Sequence, residues 1–392
     1  MSAHPLRRAV RGRRERGCAL REQERSGRPG EPDRCCSRTA RSGPAAPATG
    51  SGATLDPMRA TVRDVAALAG VSPKTVSNVI NGGVAVRPET RERVEQALAQ
   101  LDYVPNLSAR GLRNGRSGAI ALTLPEMGSA YSAELAQLFV ELARDRGWVV
   151  QLDQTGNDPA RERDLVSRAR AHLVDGLVLN PVSLSGSVLA STEGLPPTVV
   201  IGEVEPEHVD QVHVDSRAAA AQVTEHLLAA GHRRIAIVGA PRASAPTATG
   251  ELREQGHLEA LRAAGVDPDP SLRVPLPAWT TSAAATAFAS WLDAHPLPDA
   301  VFAFTDSIAF GVLHVLAARG VRVPEDVSVI GFDDIDGAAY AIPALSTVSF
   351  DRRAFATAAL DLLTRRIEDR GRPPETVVVP HRIVERASVA AR

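Results

Sequence analysis

Lys74, Thr75, Ser77, Asn78 and Asn81 place one cation and four short hydrogen-bonding side chains within a span of eight residues. Presented on one helix, they have the chemistry needed to read base edges and hold phosphates in the major groove of a DNA duplex. A solvated face on an ordinary helical hairpin would use the same residue types. A second set is dispersed along the chain: Tyr131, Asp153, Arg253, Trp279 and Asp306. Carboxylate, guanidinium and aromatic face together suit a polyhydroxylated ring, whose hydroxyls donate and accept while its C–H face stacks.

The first set needs two short helices and a tight turn. Thr61 followed three residues later by Asp64 fits a capping box that opens the first helix. Val65, Leu68 and Ala69 then fall on one face. Gly70 ends this helix where a left-handed residue costs least. Ser72 before Pro73 supplies an N-cap and a proline at the first position of the next helix. In that second helix Val76, Val79 and Ile80 keep helical spacing and face the first, which turns the polar set elsewhere. From Pro88 a third helix carries Val94, Ala97, Leu98 and Leu101 on one face and closes a three-helix head.

The second set needs strand ends. Beyond Arg116 the pattern alternates strand and helix: AIALTLP, a helix over 133–146, WVVQLD, a helix over 161–171, DGLVLNP and PTVVIG. A second series begins at Arg234 with IAIVGAP, a helix near 256–264, LRVPLP, a helix over 281–294, AVFAFTD, a helix over 308–319 and VSVIGFDD. Such alternation implies parallel sheets covered by helices, and two series imply two lobes. Ligands of open parallel sheets bind beyond the carboxyl ends of the strands. Asp153 ends WVVQLD, Asp306 ends AVFAFTD, Tyr131 follows the first strand and Trp279 follows LRVPLP. Arg253 opens a helix facing the same cleft. Each has a structural alternative: Asp306 as a helix cap, Arg253 paired with Glu254 or Glu259, Trp279 in the core.

Residues 61–124 closely resemble the start of lac-repressor-family transcription regulators. The resemblance rests on DVA, AGVS, TVS, ETRERV, YVPN and a basic stretch before an apolar strand, and it continues to the C-terminal end. It implies a small all-α helix-turn-helix domain followed by a two-lobed α/β core of the periplasmic-binding-protein type, with parallel sheets and three crossovers. On that pattern residues 58–104 are the DNA-binding head and 105–117 a hinge helix and linker. Residues 118–392 form the effector-binding and dimerisation core, with the DNA-proximal lobe over 118–230 and 347–371 and the distal lobe over 232–346 and 372–392. The implied DNA contacts are Thr61, Ser72, Pro73, Lys74, Thr75, Ser77, Asn78 and Asn81. In the hinge they are Asn106, Ala109 and Leu112, the leucine being the wedge that parts a base step in the minor groove. Arg253 and Asp306 match the family's effector-binding arginine and aspartate, and Trp279 its stacking aromatic. Four positions depart from the pattern: Arg87 replaces a serine cap, Gly111 lies within the hinge helix, Thr305 replaces asparagine and Ser132 replaces a second aromatic.

The expected function is a repressor that binds a pseudo-palindromic double-stranded operator as a homodimer and responds to a small-molecule effector, a sugar, without a cofactor. A nucleoside- or purine-responsive regulator of the same family is the alternative. A sugar-binding transport receptor would share the core but needs an export signal and has no use for the head. An enzyme would need a nucleophile elbow, phosphate loop, zinc motif or dinucleotide fingerprint, none of which occurs in a convincing context.

Charge is distributed to match. Residues 1–57 hold 12 Arg against 6 acidic residues, residues 58–116 hold 9 basic against 5 acidic, and residues 117–392 hold 24 basic against 35 acidic. A basic head on an acidic body points to a polyanion met by the head alone. Residues 1–57 lack hydrophobic periodicity and are expected to be disordered, and Met58 offers an alternative start. Cys18, Cys35 and Cys36 all fall in that stretch without zinc-ligand or disulfide-framework spacing. No secretory signal and no apolar run of membrane-spanning length is present, so a cytoplasmic location off the membrane is expected.

Overall fold

The computed structural model describes residues 60–81, 85–103, 116–156, 158–170, 173–181, 187, 189, 195–204, 208–242 and 247–392. The expectations for residues 1–57 and for Asn106, Ala109 and Leu112 therefore lie outside the described residues.

Three helices form the head: α1 (Val62–Ala69), α2 (Pro73–Asn81) and α3 (Pro88–Gln100). The capping box is formed, with the Thr61 amide donating to Asp64 Oδ2 at 2.8 Å and the Asp64 amide donating to Thr61 Oγ1 at 3.4 Å. Gly70 takes φ +60°, and its amide closes α1 onto Ala66 and Ala67. Ser72 Oγ accepts from the Thr75 amide at 3.1 Å and so caps α2. Arg87 gives α3 no side-chain cap. Val65, Ala66, Ala69, Val76, Val79, Val94 and Ala97 make the small core. Leu68, expected in that core, is 51 % exposed, and Ala66 takes the inward place. With 3.6 residues per turn, α1's contacts with both α2 and α3 draw in Val65, Ala66 and Ala69 and turn the 68 position outward.

The core contains β1 (Ala119–Leu124), α4 (Ala130–Asp145), β2 (Val149–Gln154), α5 (Pro159–Arg170), β3 (Gly176–Leu179), β4 (Thr198–Ile201) and β5 (Asp210–His213). Then come α6 (Ser216–Ala229), β6 (Ile235–Ala240), α7 (Ala248–Ala263), β7 (Arg273–Pro275), α8 (Thr281–Ala294), β8 (Ala300–Ala303) and α9 (Asp306–Ala318). The chain continues through β9 (Ser328–Phe332), α10 (Asp336–Tyr340), β10 (Ser346–Phe350), α11 (Arg352–Glu368), β11 (Thr376–Val378) and β12 (His381–Val384). Two six-stranded sheets result, ordered β11-β5-β4-β3-β1-β2 and β12-β10-β9-β8-β6-β7. All described pairings are parallel except β10 with β12. Central strands β3, β4, β8, β9 and β10 are buried throughout, as sheets covered on both faces require.

The chain crosses between sheets three times, but not where the sequence suggested. Helix α6, assigned above to the first lobe, packs against α7 and touches β8 and β12 of the second sheet. A Cβ on Gly256 would lie 2.0 Å from the Arg217 carbonyl oxygen, so only glycine lets α6 and α7 approach this closely. The first crossover is therefore between β5 and α6, not at the expected boundary between residues 230 and 232. Strand β10 belongs to the second sheet and β11 to the first, the reverse of the expected division at 347–371 and 372–392. The last strand spans His381–Val384. Alternation of strand and helix fixes the element types, but which sheet an element joins is decided by tertiary contacts that periodicity does not encode. His232, just after α6, is buried, with Nε2 3.0 Å from the Ala390 carbonyl and no partner for Nδ1 among the described residues.

Candidate functional site

In the head, α2 turns Val76 and Val79 into the small core, which fixes the direction of its other faces. Ser72, Pro73 and Lys74 are exposed at its N-terminal end, and Thr75, Ser77 and Asn78 are half-buried beside them. Asn81 closes the helix. Thr61 is exposed at the start of α1. The predicted polar set thus stays on one short helix whose N-terminal turn, the positive end of its dipole, carries the exposed Lys74 and suits an anionic backbone.

In the core, the carboxyl ends of both sheets face a common cavity of ≈ 440 Å³ between the lobes. Loops after β1, β3 and β4 bring Glu126, Asn180 and Glu203 to it from the first lobe. The second lobe brings Arg253 from α7, Trp279 after β7 and Asp333 after β9.

Arg253 is 5 % exposed. Its Nε donates to Ser216 Oγ at 3.2 Å and its Nη1 to the Phe304 carbonyl. The guanidinium carbon stands 3.4 Å from the Phe332 ring centroid and 5.8 Å from that of Trp279, a cation–π arrangement. Burial lowers its pKa from the usual arginine value, while Asp333 and Glu203 act in the opposite direction. The suggested alternative partners are engaged elsewhere: Glu254 with Arg273 at 2.6 Å and Glu259 with Arg217 at 2.7 Å. Tyr131 and Trp279 also line the wall, their rings 6.4 Å from Phe350 and 6.1 Å from Phe304 respectively.

Two predicted residues do not reach the wall. Asp306 is fully buried behind it, with Oδ1 accepting from Thr347 Oγ1 at 2.6 Å and Oδ2 from the Ile335 amide at 3.0 Å. Burial raises its carboxyl to about 7. Thr305, not Asp306, supplies the cap of α9. Asp306 holds the loop that carries its neighbour Asp333. Asp153 lies on edge strand β2 with Oδ1 accepting from the Gln154 amide, and it is Gln154 that lines the cavity.

Asp333, which sequence reasoning missed, occupies the place intended for Asp306. It is 6 % exposed and has φ +111°, an uncommon backbone conformation for a non-glycine residue. Its carboxyl accepts no hydrogen bond from the described residues, and burial raises its pKa well above the carboxylate range. Strain of this kind gathers where a side chain is aimed for a purpose. The signal was available: Asp333 follows VSVIGF at a strand end, by the same rule that selected Asp306. Glu203, also missed, joins the lobes by accepting from Ser216 Oγ at 2.7 Å and from Thr249 Oγ1. Glu134 does the same at the rim, accepting from the Asp336 amide at 3.0 Å and pairing with Arg352 at 3.1 Å. Ser132, at the position of the missing aromatic, is buried in the wall and bonded to Ser129 at 3.0 Å.

The family profile described as bacterial regulatory proteins, lacI family, matches residues 61–106, and that of the periplasmic binding protein-like domain matches residues 224–389. The HTH-type transcriptional regulator CelR of Thermobifida fusca is 35 % identical over 341 residues, covering 84 % of this chain and 98 % of that protein. Among solved structures, a transcriptional regulator CelR–cellobiose complex is 32 % identical with a TM-score of 0.61, covering 84 % of this chain and all of that one (100 %). The lac repressor dimer bound to operator and the anti-inducer ONPF is 25 % identical with a TM-score of 0.73, covering 85 % of this chain and 99 % of that chain.

Proposed function

Because the chain belongs to the lacI family of bacterial regulatory proteins, we propose that it is a homodimeric repressor in the cytoplasm whose hold on a pseudo-palindromic operator is set by a small polyhydroxylated ligand, a sugar. The observation that carries the ligand half is the cavity itself. A buried arginine, a strained aspartate whose carboxyl accepts no hydrogen bond from the described residues and the Tyr131 and Trp279 rings converge there from two lobes. Arg253 and Asp333 would bind ring hydroxyls, and Trp279 would stack on the C–H face. Glu126 and Glu203 add further acceptors. Catalysis is no part of this reading, and its relatives are transcription regulators.

Lys74 and Asn78 are the proposed base readers on α2, with Ser72, Thr75 and Ser77 holding phosphates. The hinge role of Asn106, Ala109 and Leu112 rests on the sequence. No helix of the described residues is long and apolar enough to cross a membrane.

A ligand changes operator affinity only as far as it distinguishes two arrangements of the lobes, by about 1–3 kcal/mol in typical cases. The test is a DNA footprint of the purified protein repeated across a panel of mono- and disaccharides and nucleosides. A symmetric footprint weakened by a sugar is expected. A nucleoside that acts where no sugar does would replace the ligand assignment, and a footprint on one asymmetric half-site would overturn the dimer.

A further inference from the structure

The end of the core opposite the cavity carries a clamp. Residues 116–118 are where the head-bearing segment joins β1, and their backbone is gripped by one carboxylate. Asp175 Oδ1 accepts from the Ser117 amide at 2.5 Å and from Ser117 Oγ at 3.0 Å, and Oδ2 accepts from the Gly118 amide at 2.9 Å. The Asp175 amide returns a bond to the Ala119 carbonyl at 2.7 Å. Hydrogen bonds to an ionised acceptor are the stronger kind, and two adjacent amides on one carboxylate define a direction as well as an attachment. Gly118 takes φ +72°, yet a Cβ there would meet nothing within 4 Å. Backbone direction alone, not space, calls for glycine at that position.

The clamp has a rigid backing. Asp175 immediately precedes β3, whose first residue Gly176 is packed so tightly that a Cβ would lie 2.8 Å from Leu363 of α11. Strands β1 and β3 pair in parallel from Ile120 with Gly176 onward, and both run from the clamp toward the cavity, where the loops that follow them place Glu126 and Asn180 in its wall. The carboxylate therefore ties the departing chain to the two strands that bear the ligand wall.

We propose that Asp175 is a positioning residue for operator binding, its carboxylate fixing the path by which the head-bearing segment leaves the core. This rests on the DNA-binding reading above. Two heads that meet two half-sites at once need a defined exit from each core. With the clamp released, Ser117 and Gly118 have to be ordered at every specific binding event, and that entropy is charged to the specific complex. Nonspecific binding, carried by phosphate contacts of each head, does not need it.

The probe is the duplex that the wild-type full chain recovers from a random-sequence pool, set against a scrambled duplex of equal length. Asp175→Ala is expected to weaken the selected duplex about tenfold while the scrambled duplex changes by less than about twofold. Gly118→Ala, which meets no steric contact, is expected to reproduce that loss through backbone direction. Ser117→Ala keeps both amide bonds and is expected to lose less. The thermal midpoint of the core and the mass in solution are measured alongside, with Asp175→Asn as the milder variant should Asp175→Ala precipitate. Equal losses on both duplexes, or a Gly118→Ala protein that binds as wild type, would overturn the positioning role. If the wild type recovers no duplex at all, the regulator reading falls and this one with it. If it does and Asp175→Ala binds equally well, only the clamp is refuted.

Discussion

Replacing Asp333 and Asp306 in turn separates contact from support. Asp333→Ala removes a carboxyl that accepts nothing from the described residues, so no protein donor is orphaned. Relief of its desolvation opposes the lost attraction to Arg253, leaving the thermal midpoint within a few degrees of wild type. For a bound sugar the loss is one hydrogen bond to a carboxyl that burial keeps protonated, about 0.5–1.5 kcal/mol, or roughly two- to tenfold in affinity. Asp306→Ala does the opposite. It leaves the Ile335 amide without a buried acceptor, at a cost of about 1–3 kcal/mol of stability. For a core of this size that lowers the midpoint by roughly 2–4 °C per kcal/mol. Its effect on ligand is indirect, through the loop bearing Asp333. The assay is titration with the sugar identified by footprinting, followed by the fluorescence of Trp279, whose ring lies 5.8 Å from Arg253, together with thermal melts. If Asp306→Ala abolished ligand binding with an unchanged midpoint while Asp333→Ala bound normally, the assignment of the two aspartates would be reversed.

Further outcomes follow from the head and from the buried carboxyl. Lys74→Ala and Asn78→Ala should each cost about 1–3 kcal/mol at the cognate operator and alter base preference at particular positions. A uniform loss across sequences would make Lys74 a phosphate contact. Arg87→Ser should supply the cap that α3 lacks and raise head stability by about 1 kcal/mol, read by denaturant unfolding of the head. Burial raises Asp306 to about 7, so between about pH 4 and 7 the folded chain holds a proton that the unfolded chain releases. Stability therefore falls as pH rises through that window, by up to about 1.4 kcal/mol per pH unit, and Asp306→Asn should flatten the slope. A slope unchanged in that variant would assign it to another group.

Local chemistry was what the sequence made legible. Thr61 with Asp64, Gly70 and Ser72 with Pro73 form their caps because each involves residues only a few positions apart. The strand-end rule brought Tyr131 and Trp279 to the cavity wall for the same reason, since position along an element is local information, and Arg253 reaches it from within α7. It misjudged Asp306 against Asp333 because both follow a strand, and only the packing of Thr347 and Ile335 around the first decides which carboxyl faces the cavity. Helical spacing likewise misjudged Leu68 against Ala66, where contact with a third helix turns α1. Membership of α6, β10 and β11 in their lobes depends on partners far away in sequence, such as Arg217 against Gly256.

The interleaving of the lobes sets an order of assembly on the ribosome. The first sheet's first five strands are complete once β5 ends at His213, but α11, which with α4 buries one of its faces and among the described helices alone covers β3 to β5 there, begins only at Arg352, and the sixth strand ends at Val378. At typical synthesis rates that interval lasts roughly ten to thirty seconds. Throughout it, the apolar face awaiting Leu360, Leu362 and Leu363, all fully buried in the finished fold, has no cover of its own. The second lobe, by contrast, runs without interruption from α6 to β10 and lacks only its edge strand β12. The lobe that starts first is thus finished last, and a nascent chain halted just short of Arg352 would carry a nearly complete second lobe beside a first one covered on that face only by α4, a ready target for chaperones and proteases.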